Sequence, residues 1–343
     1  MKSKVNIRLR QAALMRLRRK AKAKAKARNK NRKKRQRTES NHDSGRRPYV
    51  KPRETASLSS DFRIIENTDT VIRELNHVLT CRGRRQKETL LYLNISRVVS
   101  FDLGSLTCLL STLRFTNNYI GNEPSNASCK KYFEESGFLD WMRSLDGRKF
   151  PKSSSHNLIF EKGVDKTSNA KVGQEIRKAI KYLTGKENTF PPIYSVIQEI
   201  CPNSIEHANI KDKDRNWLMG IRYESDKVCF AMVDKGQGIL KTLKKKPVQV
   251  FGDAFSDDLS ILLRAFGKKY QSASDDDNRN KGLPRIKSVC DDGYVNNMTV
   301  ITNSTLLNLS DSTRSKRLGA EFAGTFYYWE ITKENYYRWK NKT

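Results

Sequence analysis

Apolar and polar positions alternate in blocks that change period along the chain. From Thr89 to Phe101 the sequence TLLYLNISRVVSF has the apolar density of a central strand. The next run, DLGSLTCLLSTLRF, places Leu103, Leu106, Leu109, Leu110 and Leu113 at helical spacing. A Gly-Asn-Glu-Pro turn after Tyr119 and Ile120 and a short helical pattern, KKYFEESGFLDWM, close this first α/β block. A second block opens at Pro191 and Pro192, where proline suits the first turn of a helix. On that helix Ile193, Ile197, Ile200, Ser204 and Ala208 share one broad side. Glu199, Asn203 and Glu206 fall within about 60° of one another on a neighbouring side. Pro202 removes one amide bond and predicts a local bend. Two strands follow, Leu218 to Tyr223 and Val228 to Val233, joined by a Glu-Ser-Asp-Lys turn. LSILLRAFGKKY predicts a further helix, and FYYWEI a last apolar strand.

Charge changes how the first sixty residues are read. They hold 22 lysines and arginines against 3 acids, so +19 of the formal +30 sits there and +11 is left for the rest. RLRRKAKAKAKARNKNRKKRQR has almost no large apolar side chain after Leu17, so residues 1–60 are expected to be a disordered basic arm. Such an arm is either a solvated tail or an electrostatic clamp on nucleic acid or another polyanion, acting by counterion release. No aromatic residue precedes Tyr49, so base stacking is not expected of it. The remainder divides into a small α/β domain at 61–150, a Gly-, Pro- and Ser-bearing linker at 151–165, and a larger domain at 166–335. The six cysteines form no CxxC pair and the four histidines show no zinc-ligand spacing, which favours reduced, buried thiols and a cytoplasmic chain. No apolar run approaches membrane-spanning length.

Candidate chemistry gathers in the second block. Asp234 ends a buried strand and is followed by Gly236 and Gly238, which let the backbone turn tightly beside a flat ligand while the carboxylate accepts a hydrogen bond. Gly282, in Asn280-Lys281-Gly282-Leu283, heads a helix whose free amides suit phosphate. Taken singly, these are also an amphipathic surface helix, an Asp/Gly turn and an ordinary helix start. Their order is more specific.

A helix with Glu199-x-x-x-Asn203-x-x-Glu206-His207-Ala208, a strand with Asp234-x-Gly236-x-Gly238 and a glycine-led helix resemble the GHKL (Bergerat) ATPase domain. Gyrase, heat-shock chaperones, histidine kinases and anti-sigma serine kinases share that domain. The resemblance implies that ATP binds with Mg²⁺. By it, Asn203 would coordinate Mg²⁺, and Glu199 would be the general base that activates a nucleophile. Asp234 would accept the adenine amino group, with Gly236 and Gly238 at the base. Lys281, Gly282 and Leu283 would lie at the phosphates, His207 would belong to the ATP-binding helix motif, and Thr325, in Ala323-Gly324-Thr325-Phe326, would lie beside the adenine. The phosphate loop departs from Gly-x-Gly-Leu, since Asn280 replaces its first glycine. Residues 240–279 would form the lid over the nucleotide or a surface insertion, with Lys268, Lys269 and Arg279 also available to phosphate.

The first block resembles a STAS domain, the sulfate-transporter and anti-sigma-antagonist module. In its signalling members the strand-to-helix turn carries a phosphorylatable serine. Here that turn reads Asp102-Leu103-Gly104-Ser105, so the acceptor position is a glycine or is shifted by one, and a docking scaffold is expected. The two resemblances together imply an α/β chain, STAS-like then GHKL, working as an ATPase or serine kinase-like switch on a protein partner. The alternative is a nucleic-acid-associated protein that binds through its arm and uses the ATPase fold as a gate.

Overall fold

The computed structural model describes residues 54–83, 91–113, 119–150, 158–163, 169–206, 217–244, 257–267 and 282–342. All belong to one compact unit, Val50–Thr343. The chain is mixed α/β, with small parallel sheets and a separate five-stranded antiparallel sheet.

The N-terminal layer is built on β1 (Glu54–Ser57), β3 (Leu91–Asn94) and β5 (Tyr119–Gly121), parallel in the order β1-β3-β5. β2 (Asp61–Phe62) and β4 (Ser100–Phe101) make a second, minimal parallel pair. Three helices accompany them, α1 (Thr68–Gly83), α2 (Leu103–Leu113) and α3 (Ala127–Glu135). α2 is buried on every side, although it carries Ser105, Thr107, Ser111 and Thr112 among its leucines. Its hydroxyls are satisfied internally. Thr107 donates to the Leu103 carbonyl at 2.7 Å and Thr112 to that of Cys108 at 2.7 Å. Asp102 caps the helix by accepting the Ser105 N–H at 2.5 Å, and the Asp102 N–H returns a bond to Ser105 Oγ at 3.2 Å.

The antiparallel sheet runs β6-β7-β8-β10-β9. Its strands are β6 (Leu158–Gly163), β7 (Trp217–Tyr223), β8 (Lys227–Asp234), β9 (Asn296–Asn308) and β10 (Lys316–Thr332). One face takes the N-terminal layer. Leu218, Cys229, Ala231, Val233 and Phe326 share a core with Leu75, Leu106 and Leu109. Gly104 permits this approach, because a Cβ there would lie 2.7 Å from both Ile64 and Phe326 side chains. The other face is covered by helices, namely α4 (Asn169–Thr184), α5 (Pro191–Glu206), α6 (Ile239–Lys244), α7 (Asp258–Phe266), α8 (Gly282–Asp291) and α9 (Lys333–Lys342). Met219, Phe230, Met232 and Trp329 pack there with Val196, Ile200 and Ile286. Strand alternation thus divides odd from even positions of β8 between two cores.

Two strands lie where the sequence pattern suggests none. β1 falls inside the 1–60 segment expected to be an arm, and β6 inside the expected linker. β6 pairs with all of β7 as the sheet's edge, Leu158 opposite Arg222 through Gly163 opposite Trp217. All six cysteines are buried, and none is in a disulfide. Among the described residues, no helix is long and apolar enough to cross a membrane.

Candidate functional site

The end of β8 and its neighbours form a row across four strands. Trp217 is opposite Asp234, Asp234 opposite Thr325, and Thr325 opposite Thr302. Parity puts the row on the helix-covered face, since Met232, Tyr327 and Met219, two residues from its members, all belong to that core. Asp234, Thr325 and Thr302 are all buried. Asp234 Oδ1 accepts the Gly236 N–H at 2.8 Å and the Thr325 N–H at 3.2 Å, so one carboxylate oxygen fixes both the glycine turn and the incoming strand. The Trp217 indole N–H is buried and meets no hydrogen-bond acceptor.

The turn that leaves β8 is held from the far strand. Thr302 Oγ1 accepts the Ile239 N–H at 2.8 Å, and the Asn303 amide donates to the Gln237 carbonyl at 3.0 Å. Asn303 Oδ1 also accepts the Lys241 N–H at 3.4 Å. Asn303 is itself at φ 51°, within a stretch where the β9–β10 register shifts. Gly238, at φ 84°, lies so close to this amide that a Cβ would stand 2.7 Å from Asn303 Cγ. Lys241, on α6, makes an ion pair with Glu321 of β10, and that bond holds the Glu321 carboxyl below its ordinary value. The Glu321 carbonyl accepts from Asn76 of α1 at 2.8 Å, and Gly319 N–H donates to Asp69 at 2.6 Å. The N-terminal layer therefore grips the same segment of β10 that leads into Thr325.

A second group forms where α5 packs on α8. Glu199 of α5 pairs with Arg285, one turn into α8. Gly282 and Leu283 open that helix, and Leu283 packs on the core that also holds Ile200 of α5 and Leu240 of α6. Asn203 follows Glu199 by one turn of α5; its side chain lies outside what the structure describes. His207 and Lys281, with Lys268, Lys269 and Arg279, also lie outside the described residues. Asp234, Gly236, Gly238 and Thr325 are thus brought together, and so are Glu199, Gly282 and Leu283, each group on the helix-covered side of the sheet.

Arg285, Thr302, Asn303 and Glu321 were not singled out by sequence. Thr302 and Asn303 give little local signal, because their strand, NNMTVITNSTLLN, is polar at more than half of its positions. Ser105 is fully buried and belongs to the layer on the opposite face of the sheet, so it does not adjoin the Asp234 row. No known protein family matches this chain, and no curated protein shows significant similarity to it.

Proposed function

We propose that the chain is a Mg-ATP-binding regulatory protein of the GHKL class, with a STAS-like N-terminal layer, acting as an ATPase or serine kinase-like switch. The observation that carries this reading is the row Trp217–Asp234–Thr325–Thr302 with its buttressed glycine turn, set on one face of a five-stranded antiparallel sheet under helices. A buried carboxylate beside a tight glycine turn suits an exocyclic amino group, and the unpartnered Trp217 N–H supplies a donor close by. In this reading Asp234 and Thr325 hold the base. The α5–α8 pair serves the phosphates, where Arg285 offers a guanidinium suited to phosphate. Asn203 would supply an oxygen donor of the kind a hard cation such as Mg²⁺ takes, and ATP, when bound, would supply the transferable phosphoryl group. Arg285 orients the Glu199 carboxylate, the candidate base.

Burial of Ser105 argues that this serine is not the phosphoacceptor. Incubation with γ-labelled ATP tests the reading. A labelled partner supports a kinase, released phosphate supports an ATPase switch, and Glu199→Ala should abolish either while leaving nucleotide binding intact. Absence of Mg-ATP binding by the full chain would refute it. The +19 carried by residues 1–60 favours a second, compatible role, in which nucleotide state governs an assembly held on nucleic acid by the arm.

A further inference from the structure

A cavity of about 200 Å³ lies between the N-terminal layer and the sheet face opposite the Asp234 row. Its walls come from both sides. The layer contributes Arg63, Glu66 and Asp102, and the sheet contributes Arg222, Glu224, Glu330 and, from the β9–β10 hairpin, Arg314. The volume equals six or seven waters at roughly 30 Å³ each, which suits an ion-sized ligand.

Two of the four acids are already satisfied. Asp102 accepts the N–H groups of Ser105 and Ile65 at 2.5 and 3.1 Å, and burial raises its pKa towards the neutral form. Glu330 accepts from Tyr328 at 2.6 Å, Asn297 at 2.8 Å and Lys227 at 2.9 Å. The other two hold their arginines loosely, Glu224 to Arg222 at 3.4 Å and Glu66 to Arg314 at 3.5 Å. Close charge-assisted bonds run nearer ~2.7–2.9 Å, so these pairs are open to a better acceptor. Arg63 spends Nε and Nη2 on Asp61, at 2.7 and 2.9 Å, and has further N–H donors in its fork. Three guanidiniums from three elements therefore line one small cavity with donors to spare. Planar forks of this kind match the oxygens of a phosphoryl group.

We propose that this cavity binds a small tetrahedral oxyanion of the phosphate class, which bridges Arg63, Arg222 and Arg314 and ties the N-terminal layer to the sheet. The inference stands apart from the nucleotide reading, because it uses the other face of the sheet and none of the same residues. The ligand is either the free ion or the head of a slender phosphomonoester.

The test is calorimetric titration of the full chain with inorganic phosphate, without nucleotide or Mg²⁺, against chloride at equal ionic strength. A parallel titration uses methyl phosphate. The wild type should show one saturable site, and Arg314→Gln should weaken it at least tenfold. Arg222→Gln combined with Arg314→Gln should remove it, leaving only the non-saturating heat of the intact basic arm. Arg222 also lies 4.5 Å over the Tyr132 ring, so its loss could disturb folding. Arg314→Gln, on an exposed hairpin, keeps the test valid if the double variant unfolds. Equal binding of both ligands identifies the phosphoryl head as what is recognised, and binding of inorganic phosphate alone identifies the free ion; each supports the proposal. A wild type with no saturable phosphate site, or an isotherm unchanged in Arg314→Gln, overturns it.

Discussion

Replacing Gly324 with alanine probes the joint between β8 and β10 on which the candidate site depends. Gly324 has φ 116°, and an added Cβ would overlap the Asp234 carbonyl oxygen, standing 2.9 Å from the Asp234 carbonyl carbon and 3.1 Å from Lys235 Cα. A non-glycine residue held at such a φ costs about 1–3 kcal/mol. The overlap is with backbone, which cannot rotate away as a side chain can, and shifts of that kind cost a further ~1–3 kcal/mol. Gly324→Ala should therefore destabilise the fold by roughly 2–6 kcal/mol, less a few tenths returned by the stiffer unfolded chain. At ~2–4 °C per kcal/mol, Tm should fall by about 4–24 °C. Two other glycines separate the causes. Gly185 has φ 76° with no atom within 4 Å of a built Cβ, so alanine there pays conformational strain alone, about 1 kcal/mol. At Gly319 the nearest atom is Asp69 Oδ1 at 3.4 Å and the backbone is ordinary, so alanine should stay within about 0.5 kcal/mol of wild type. Urea and thermal unfolding of the three variants followed by circular dichroism would show the order Gly324 > Gly185 > Gly319. If Gly324→Ala matches Gly319→Ala, the close approach of β10 to Asp234 is wrong.

Three further outcomes are expected. Asn303→Ala removes bonds to Gln237 and Lys241 that hold the glycine turn, and should cost about 1–2 kcal/mol in chemical denaturation while weakening Mg-ATP binding. An unchanged ATP affinity would detach this turn from the site. Burial pushes the Glu330 carboxyl up, but bonds from Tyr328, Lys227 and Asn297 outweigh it and hold the group below the usual 4.5. Its stabilisation is therefore complete above pH 4.5 and is lost as pH falls through the depressed value. Glu330→Gln should be less stable than wild type at pH 7 and approach it as pH falls below 4.5 through the depressed value, measured by denaturation across the acid range; a constant gap would contradict the sign. Finally, deleting residues 1–50 should abolish salt-sensitive binding to duplex and single-stranded nucleic acid, and undiminished binding would end the role given to the arm.

Much of the second block was legible because its signals are local. The β7–β8 hairpin follows from alternating apolar runs around a polar turn, and the structure closes it with the Glu224 N–H donating to the Lys227 carbonyl at 2.9 Å. α5 begins at Pro191, where proline is tolerated, and continues through Pro202 to Glu206. Other features depend on partners far away in sequence. β1 has a single buried side chain, Ala56, and exists through its pairing with β3. β6 lies in a stretch whose composition marks a linker, yet it completes the sheet beside β7. The leucine spacing of α2 predicts a helix but carries no sign that all eleven of its residues are buried. The hydroxyls of Ser105, Thr107 and Thr112 bond to the backbone carbonyls of Asp102, Leu103 and Cys108, which lets these polar positions enter a core too. Arg285 meets Glu199 across 86 residues and Asn303 meets Gln237 across 66, separations at which no periodicity carries a signal.

Isothermal titration of Mg-ATP into the wild type and into Asp234→Asn bears most directly on whether the Asp234 row holds an adenine base. The account predicts saturable one-to-one binding to the wild type, preference for ATP over GTP, and loss of that binding in Asp234→Asn with the fold retained. Equal affinity of the two proteins for ATP, or equal affinity of the wild type for ATP and GTP, would contradict it.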